Sequence, residues 1–113
     1  QDLLEAMAKD WPEDISELRV DGGMAANNWL MQFLADVTNT PIDRPQNTET
    51  TALGAAFLAG LQCGLWSSLD EISSTWASDR RFTPHMPPAD RTHLHEGWLR
   101  AVKQTLTKAD KHD

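Results

Sequence analysis

The sequence predicts an α/β fold in which short parallel strands are flanked by helices. Three observations lead to this prediction. Apolar residues recur at helical spacing in several segments. Two short extended segments, residues 17–20 and 40–45, are separated by one of those helical segments. A strand, a helix and a second strand in this order favour a parallel pair, and parallel strands are usually covered by helices on both faces.

The first predicted helix covers the segment DLLEAMAKDW near the start of the chain. Leu4, Met7 and Trp11 lie at helical spacing. Pro12 is expected to end the helix, because proline lacks the amide hydrogen that a helix interior needs. The segment ELRV then has apolar residues at alternate positions, which predicts a short strand that leads to Asp21.

The second predicted helix covers AANNWLMQFLADVTN, residues 25–39. Asn39 suits the end of this helix, because asparagine adopts the left-handed conformation more readily than most residues. The predicted apolar face consists of Ala26, Leu30, Phe33 and Val37, with Leu34 beside it.

The segment TPIDRP is the second predicted strand, and its prolines mark its ends. Thr50 or Thr51 is expected to cap a third helix, ALGAAFLAGLQC, and Gly64 follows its end. The small residues of this helix allow close packing against a neighbouring backbone, and we expect a large residue at Gly54 to overpack that contact. Two short strands make a poor sheet, so the domain is predicted to be incomplete.

The last third of the chain is predicted to contain two more helices and no strand. SSLDEISSTW has the pattern of a short capped helix, and DRRFTPHMPPAD is interpreted as a proline-rich connector. The final helix is predicted from Asp90 to about Lys108, because Leu94, Trp98 and Val102 recur every fourth residue.

The composition excludes several classes of function. The chain has 113 residues, enough for one modest domain, and a net charge of -7 with no basic stripe, so we expect no nucleic-acid partner. No segment reaches the roughly 20 apolar residues of a membrane span.

Cys63 is the single cysteine, which agrees with a cytoplasmic location. Residue 1 is Gln and no signal peptide precedes the domain, so we expect a piece of a longer protein.

The candidate site is the segment DGGMAANN, residues 21–28. Gly22 and Gly23 follow a predicted strand, so the backbone there can pass close to a ligand, and a helix start offers free N–H groups to anions. Asn27, expected one turn into the helix, has an amide that can recognise a purine. The pattern is neither a Walker A loop nor GxGxxG, so an ordinary strand-to-helix turn remains an alternative.

Other polar residues give weaker indications. Asp21 lies at a strand end, where it can orient the loop or help to hold Mg²⁺ through water. His93 and His95 are two positions apart and point to different sides of a helix, so the histidines are interpreted as scattered surface residues. We therefore predict no metal ligands and no catalytic residue in this chain.

The longer segment LRVDGGMAANNWLMQFLADVTNTPIDRPQNTETTALGAAFLAGLQCGLW resembles the C-terminal region of the FGGY carbohydrate kinase family, and within it the glycerol kinase branch. The resemblance covers roughly residues 15–106. The matching features are DGG at 21–23, NN at 27–28, LMQFLAD at 30–36, RP at 44–45 and TALGAA at 51–56.

The resemblance implies an actin-like, ribonuclease-H-type ATPase domain, of which residues 1–113 would be the C-terminal part of the nucleotide-binding C-terminal domain. Gly23 would line the adenine and ribose side of the ATP pocket, Asn27 would contact the adenine, and Gly22 would shape the same turn. The family's substrate-binding N-terminal domain and its catalytic acid would be absent here. The complete protein would phosphorylate glycerol with ATP and Mg²⁺, whereas this chain alone would be inactive.

Two alternatives stay open at this stage. The complete protein can be a sister kinase of the same family, acting on xylulose or gluconate. It can also be an actin-like interaction domain that has kept the fold without the chemistry. We expect a homo-oligomer. In the isolated chain, the missing strands would expose a sheet edge, which tends to pair with another copy or to aggregate, so a dimer of this chain alone is expected to be non-physiological.

Overall fold

The structure is a computed structural model, and it describes residues 1–11 and 13–106. In these residues a three-stranded sheet is accompanied by five α-helices and one 3₁₀ turn. The elements in chain order are α1 (Asp2–Asp10), β1 (Leu18–Arg19), the 3₁₀ turn (Gly23–Ala26), α2 (Asn28–Thr38), β2 (Ile42–Pro45), α3 (Thr50–Gln62), α4 (Leu69–Ser74), β3 (Ser78–Phe82) and α5 (Pro88–Thr105).

The sheet has β2 in its middle. β1 and β2 run parallel, with Leu18 opposite Ile42, as the strand–helix–strand order predicts. β3 runs antiparallel along the other side of β2, with Phe82 opposite Ile42. Ile42 therefore lies between an apolar residue on each neighbouring strand, and this row is the middle of the core.

The prediction that residues 79–90 form a connector was wrong for its first four residues, because β3 occupies Ser78–Phe82. Four of the five residues in β3 are exposed and only Phe82 is buried, so the strand has no apolar alternation. Its pairing depends on β2 instead. Arg81 donates to the buried Asp43 (3.0 Å) and to Glu17 (2.8 Å), contacts that connect residues far apart in the chain.

The buried face of α2, with Met31 and Ala35, is rotated from the predicted apolar face. The buried hydrophobic residues are Ala25, Met31, Ala35, Ile42 and Phe82, and Leu30 and Leu34 pack against them. Ala26 is exposed, because it belongs to the 3₁₀ turn that precedes the helix. Phe33 and Val37 face away from the sheet and line a cavity of about 540 Å³ between α2, α1 and α5.

The two terminal helices contact each other across this cavity. Asp2 of α1 accepts a hydrogen bond from Trp98 Nε1 of α5 (2.9 Å) and is also paired with His95. Pro12, the predicted end of the first helix, and Lys108, the predicted end of the last, lie outside the described residues. None of the helices in residues 1–11 and 13–106 is long and apolar enough to cross a membrane.

The expectation of close packing at Gly54 was wrong for this structure. A Cβ added at Gly54 would meet no atom within 4 Å, whereas one added at Gly60 would lie 2.8 Å from Trp66 Cδ1. Gly60 is also the one buried residue of α3. The position that requires a small residue is therefore Gly60, where the chain turns back onto α3, six residues after Gly54.

A carboxylate on α2 fixes the segment that joins β3 to α5. Asp36 accepts hydrogen bonds from the backbone N–H groups of His85 (2.6 Å) and Met86 (3.2 Å), and from Gln32 (3.2 Å). Partial burial raises the pKa of Asp36, but these donors favour the charged form more strongly, so its pKa lies below the ordinary value. The contacts hold the end of β3 against the helix that follows the candidate site.

Candidate functional site: the loop between β1 and α2

The loop begins with a backbone conformation that favours glycine. Gly22 has φ 81° and ψ 171°, a combination that residues with a side chain rarely adopt. Its N–H donates to Thr48 O (3.0 Å), and its carbonyl accepts from Ala25 N (3.0 Å). Gly22 thus turns the chain out of the sheet and starts the 3₁₀ turn, the role the resemblance implies for it.

Gly23 leaves its backbone open to a ligand. A Cβ added at this position would meet no atom within 4 Å, and the residue is exposed. Its φ is not in the left-handed region, since the positive-φ glycines described are Gly22 and Gly64. The folded chain therefore does not itself require glycine at position 23. If glycine is required at position 23, the reason is a ligand or another part of the complete protein that approaches the backbone of Gly23.

Asn27 is the N-cap of α2 and does not lie one turn into the helix as predicted. The difference arises because Gly23–Ala26 form a 3₁₀ turn, which delays the start of the α-helix. The side-chain Oδ1 of Asn27 accepts from Leu30 N (3.1 Å), a capping bond that fixes the orientation of the amide. Its Oδ1 is engaged within the chain, and the Nδ2 group remains to donate to a ligand.

Asp21 connects the loop to the next helix. Its carboxylate accepts a hydrogen bond from the Thr50 hydroxyl at the start of α3. This contact fits the prediction that Asp21 orients the loop. In the part of the chain that the structure describes, no group of three or more His, Cys, Asp or Glu side chains comes together in a way that could hold a metal ion.

Sequence reasoning missed two residues that support this loop. Arg44 of β2 places its guanidinium against the 3₁₀ turn and Asn28, and Asp79 of β3 holds the guanidinium from the other side. In the sequence, Arg44 is visible only as part of the RP match. Asp79 gives no signal, because it lies in the strand that was predicted as a connector.

Two of the surface cavities in the described part of the chain lie beside α3 and beside α5. One is the cavity between α1, α2 and α5. The other, of about 330 Å³, includes Arg19, Leu53, Phe57 and Trp76 in its lining, with the Arg19 guanidinium 4.2 Å from the Trp76 ring centroid. Neither of these two cavities is lined by the two loop glycines or Asn27, although the second includes Thr50, the partner of Asp21. The two glycines and Asn27 are exposed.

The two glycines are expected to differ in what they contribute. Gly22→Ala should lower the stability of the complete protein by about 1–3 kcal/mol, because alanine is strained at φ 81°. Gly23→Ala should change stability by less than about 0.5 kcal/mol and act on nucleotide affinity instead. Denaturant unfolding and ADP titration of the two variants check this. Equal stability losses would contradict the assignment of separate roles.

The chain is similar to known proteins in both sequence and structure. The model of the FGGY family of carbohydrate kinases, C-terminal domain, matches residues 1–63. A glycerol kinase of Gluconobacter oxydans is 55% identical over 106 residues, which are 94% of this chain and 21% of that protein. The chain thus spans about a fifth of the length of the curated relatives it matches.

Two solved structures share the fold. The glycerol kinase of Plasmodium falciparum with ADP superposes with a TM-score of 0.75 at 36% identity, over 94% of this chain and 21% of that one. The ligand-bound xylulose kinase of Lactobacillus acidophilus gives 0.70 at 21% identity, over 95% of this chain and 22% of that one. These likenesses confirm the predicted α/β fold class of an incomplete actin-like ATPase domain. From the family match over more than half of its residues, the chain belongs to the FGGY family of carbohydrate kinases.

Proposed function

We propose that the complete protein is a glycerol kinase, which transfers the γ-phosphoryl group of ATP to a terminal hydroxyl of glycerol. The observation that carries the proposal is the 55% identity to a glycerol kinase over nearly the whole of this chain. The likeness to a glycerol kinase solved with ADP supports a nucleotide site in this part of the protein.

The proposed part of this chain is the adenine end of the ATP site. Residues 1–113 would be the C-terminal part of the nucleotide-binding domain. The purine would lie against the open backbone at Gly23, and Asn27 Nδ2 would donate a hydrogen bond to a ring nitrogen, since Oδ1 already caps α2. Gly22 would hold the turn in place.

The chemistry of transfer would lie elsewhere in the protein. A base has to accept the proton of the attacking hydroxyl, and the phosphates need positive charge around them. In the candidate loop, the Asp21 carboxylate accepts from Thr50 and the Arg44 guanidinium is paired with Asp79, so we propose neither group for these tasks. The chain by itself should therefore be inactive. We also propose that Mg²⁺ enters with ATP, since metal ions bridge the β- and γ-phosphate oxygens in phosphoryl transfer. We further propose a cytoplasmic, homo-oligomeric enzyme. Size measurement of the complete protein checks the oligomeric state.

A sister kinase that acts on xylulose or gluconate is the second candidate. The observation in its favour is the likeness to a xylulose kinase, which at 21% identity supports the fold alone. The glycerol kinases named above share more residues with this chain, so glycerol is the favoured acceptor.

A substrate panel on the complete protein tests the proposal. We expect ATP-dependent phosphorylation with kcat/KM for glycerol at least about a hundredfold above that for xylulose or gluconate, and no activity of residues 1–113 alone. If the protein preferred xylulose or gluconate, that compound would replace glycerol as the proposed acceptor. Phosphorylation by this chain alone would contradict the proposal that the catalytic groups lie elsewhere in the protein. A complete protein without kinase activity would favour the alternative of a non-catalytic interaction domain.

A further inference from the structure

The guanidinium of Arg44 occupies an unusual position between the sheet and the candidate loop. Its side chain is only 13% exposed although it is charged. Nη1 donates to Ala25 O (2.9 Å) and to Asn28 Oδ1 (2.9 Å), and Ala26 O is a further acceptor at 3.4 Å. These oxygens belong to the two residues before Asn27 and the one after it. The guanidinium therefore binds the chain on both sides of Asn27, the proposed adenine contact.

The other edge of the guanidinium is held by Asp79 on β3. Asp79 Oδ2 accepts from Nε (2.9 Å) and pairs with Nη2 (2.7 Å). The ring of Phe82 lies beneath, with its centroid 5.4 Å from the guanidinium carbon. Because both edges and one face of the group are engaged, its orientation is fixed. A planar fork is needed for this arrangement, which a lysine ammonium cannot reproduce.

Both ends of the 3₁₀ turn are held by other parts of the described chain. At its end, Ala25 is buried in the core and Asn27 N donates to Met24 O (3.1 Å). Gly22 and Asp21 anchor its beginning, to Thr48 and Thr50 respectively. The carbonyls of Ala25 and Ala26 also lie at the end of the turn, and the hydrogen-bond geometry of a 3₁₀ turn is poorer than that of an α-helix. A charged donor at these carbonyls supplies the partner that the turn itself does not.

We propose that Arg44, held by Asp79, is a positioning residue that aims the Asn27 amide and the Gly23 backbone at the purine of the bound nucleotide. This inference rests on the proposed function. Arg44 acts through the loop and contributes to recognition of the base. Binding of the phosphates and of the phosphoryl acceptor does not depend on Arg44.

The test uses the complete protein, its affinity for ADP and for inorganic triphosphate, and the KM of the phosphoryl acceptor. We expect Arg44→Gln to weaken ADP binding at least about tenfold, with triphosphate affinity and acceptor KM within twofold of wild type. Arg44→Lys and Asp79→Asn should give smaller losses of the same kind. The matched control is Arg80→Gln, whose guanidinium lies 4.7 Å from the same Phe82 ring without a bond to the loop. It should stay within twofold throughout.

A double-variant cycle then tests whether Arg44 acts through Asn27. In an Asn27→Ser background, Arg44→Gln should weaken ADP binding by less than about threefold, because the contact that it aims is already gone. Should Arg44→Gln fail to fold, the same comparison is made with Arg44→Lys.

The remaining outcomes all decide against the inference. It is overturned by unchanged ADP affinity in the Arg44 variants, by equal losses for ADP, triphosphate and acceptor, or by full additivity with Asn27→Ser. A wild-type protein that binds no ADP would overturn the proposed function first and this inference with it. Wild-type ADP binding that does not respond to Arg44 overturns this inference alone.

Discussion

Replacement of Asn27 by Asp is expected to weaken ADP binding to the complete protein at least about tenfold while its thermal midpoint stays unchanged. Aspartate caps a helix as well as asparagine does, and its charge is favourable at a helix N-terminus. The capping bond to Leu30 N is therefore kept. The substitution removes the Nδ2 donor, however, and turns a carboxylate toward the acceptor nitrogens of the purine. Titration calorimetry with ADP and a thermal melt measure the two quantities.

Two further variants separate capping from recognition. Asn27→Ala should lose ADP affinity and also about 1 kcal/mol of stability, because the cap disappears with the amide. Ser68→Ala is the matched control, since Ser68 caps α4 through the same kind of bond to Glu71 N (3.1 Å) away from the loop. It should lose stability alone. Full ADP affinity in Asn27→Asp would mean that the amide does not contact the base.

Replacement of Phe82 by Ala is expected to cost about 3–5 kcal/mol of stability, the range for removal of a buried phenylalanine. Phe82 is 2% exposed and lies opposite Ile42 in the sheet. Its ring also lies beneath the guanidinium groups of Arg44 and Arg80. The substitution therefore opens the core and removes the surface on which Arg44 rests, so ADP affinity should fall as well.

The control for this prediction is Phe57→Ala on α3. Phe57 is only partly buried and packs edge-to-face on Trp66, with ring centroids 5.7 Å apart. Its loss should cost less than half as much. Chemical denaturation of both variants measures the difference. Equal losses of stability in the two variants would contradict the placement of Phe82 in the core.

The sequence was sufficient for features that depend on local pattern. Glycine after a strand end predicted the turn at Gly22, and strand–helix–strand order predicted the parallel pair. Asn39 does end α2 in the left-handed conformation, at φ 53°. In each case the determining interactions lie within a few residues or follow from the handedness of the chain.

Features that depend on distant partners could not be predicted. β3 is a strand because β2 offers it hydrogen bonds and Asp43 accepts from Arg81, and none of its exposed charged residues indicates this. The buried face of α2 was misplaced because Met31 and Ala35 belong to the core, whereas Phe33 and Val37 line the cavity with residues of α1 and α5. Asn27 was assigned to the interior of the helix because the 3₁₀ turn delays the start of α2. The resemblance had already identified Asn27 as a site residue.

The measurement that tests the central claim most directly is a crystal structure of the complete protein with ADP bound. We expect the purine to lie in van der Waals contact with the Gly23 backbone, and a ring nitrogen to accept from Asn27 Nδ2 at about 2.7–3.2 Å. Asn27 Oδ1 should still cap α2. A base bound away from both residues would contradict the assignment of this loop to nucleotide recognition.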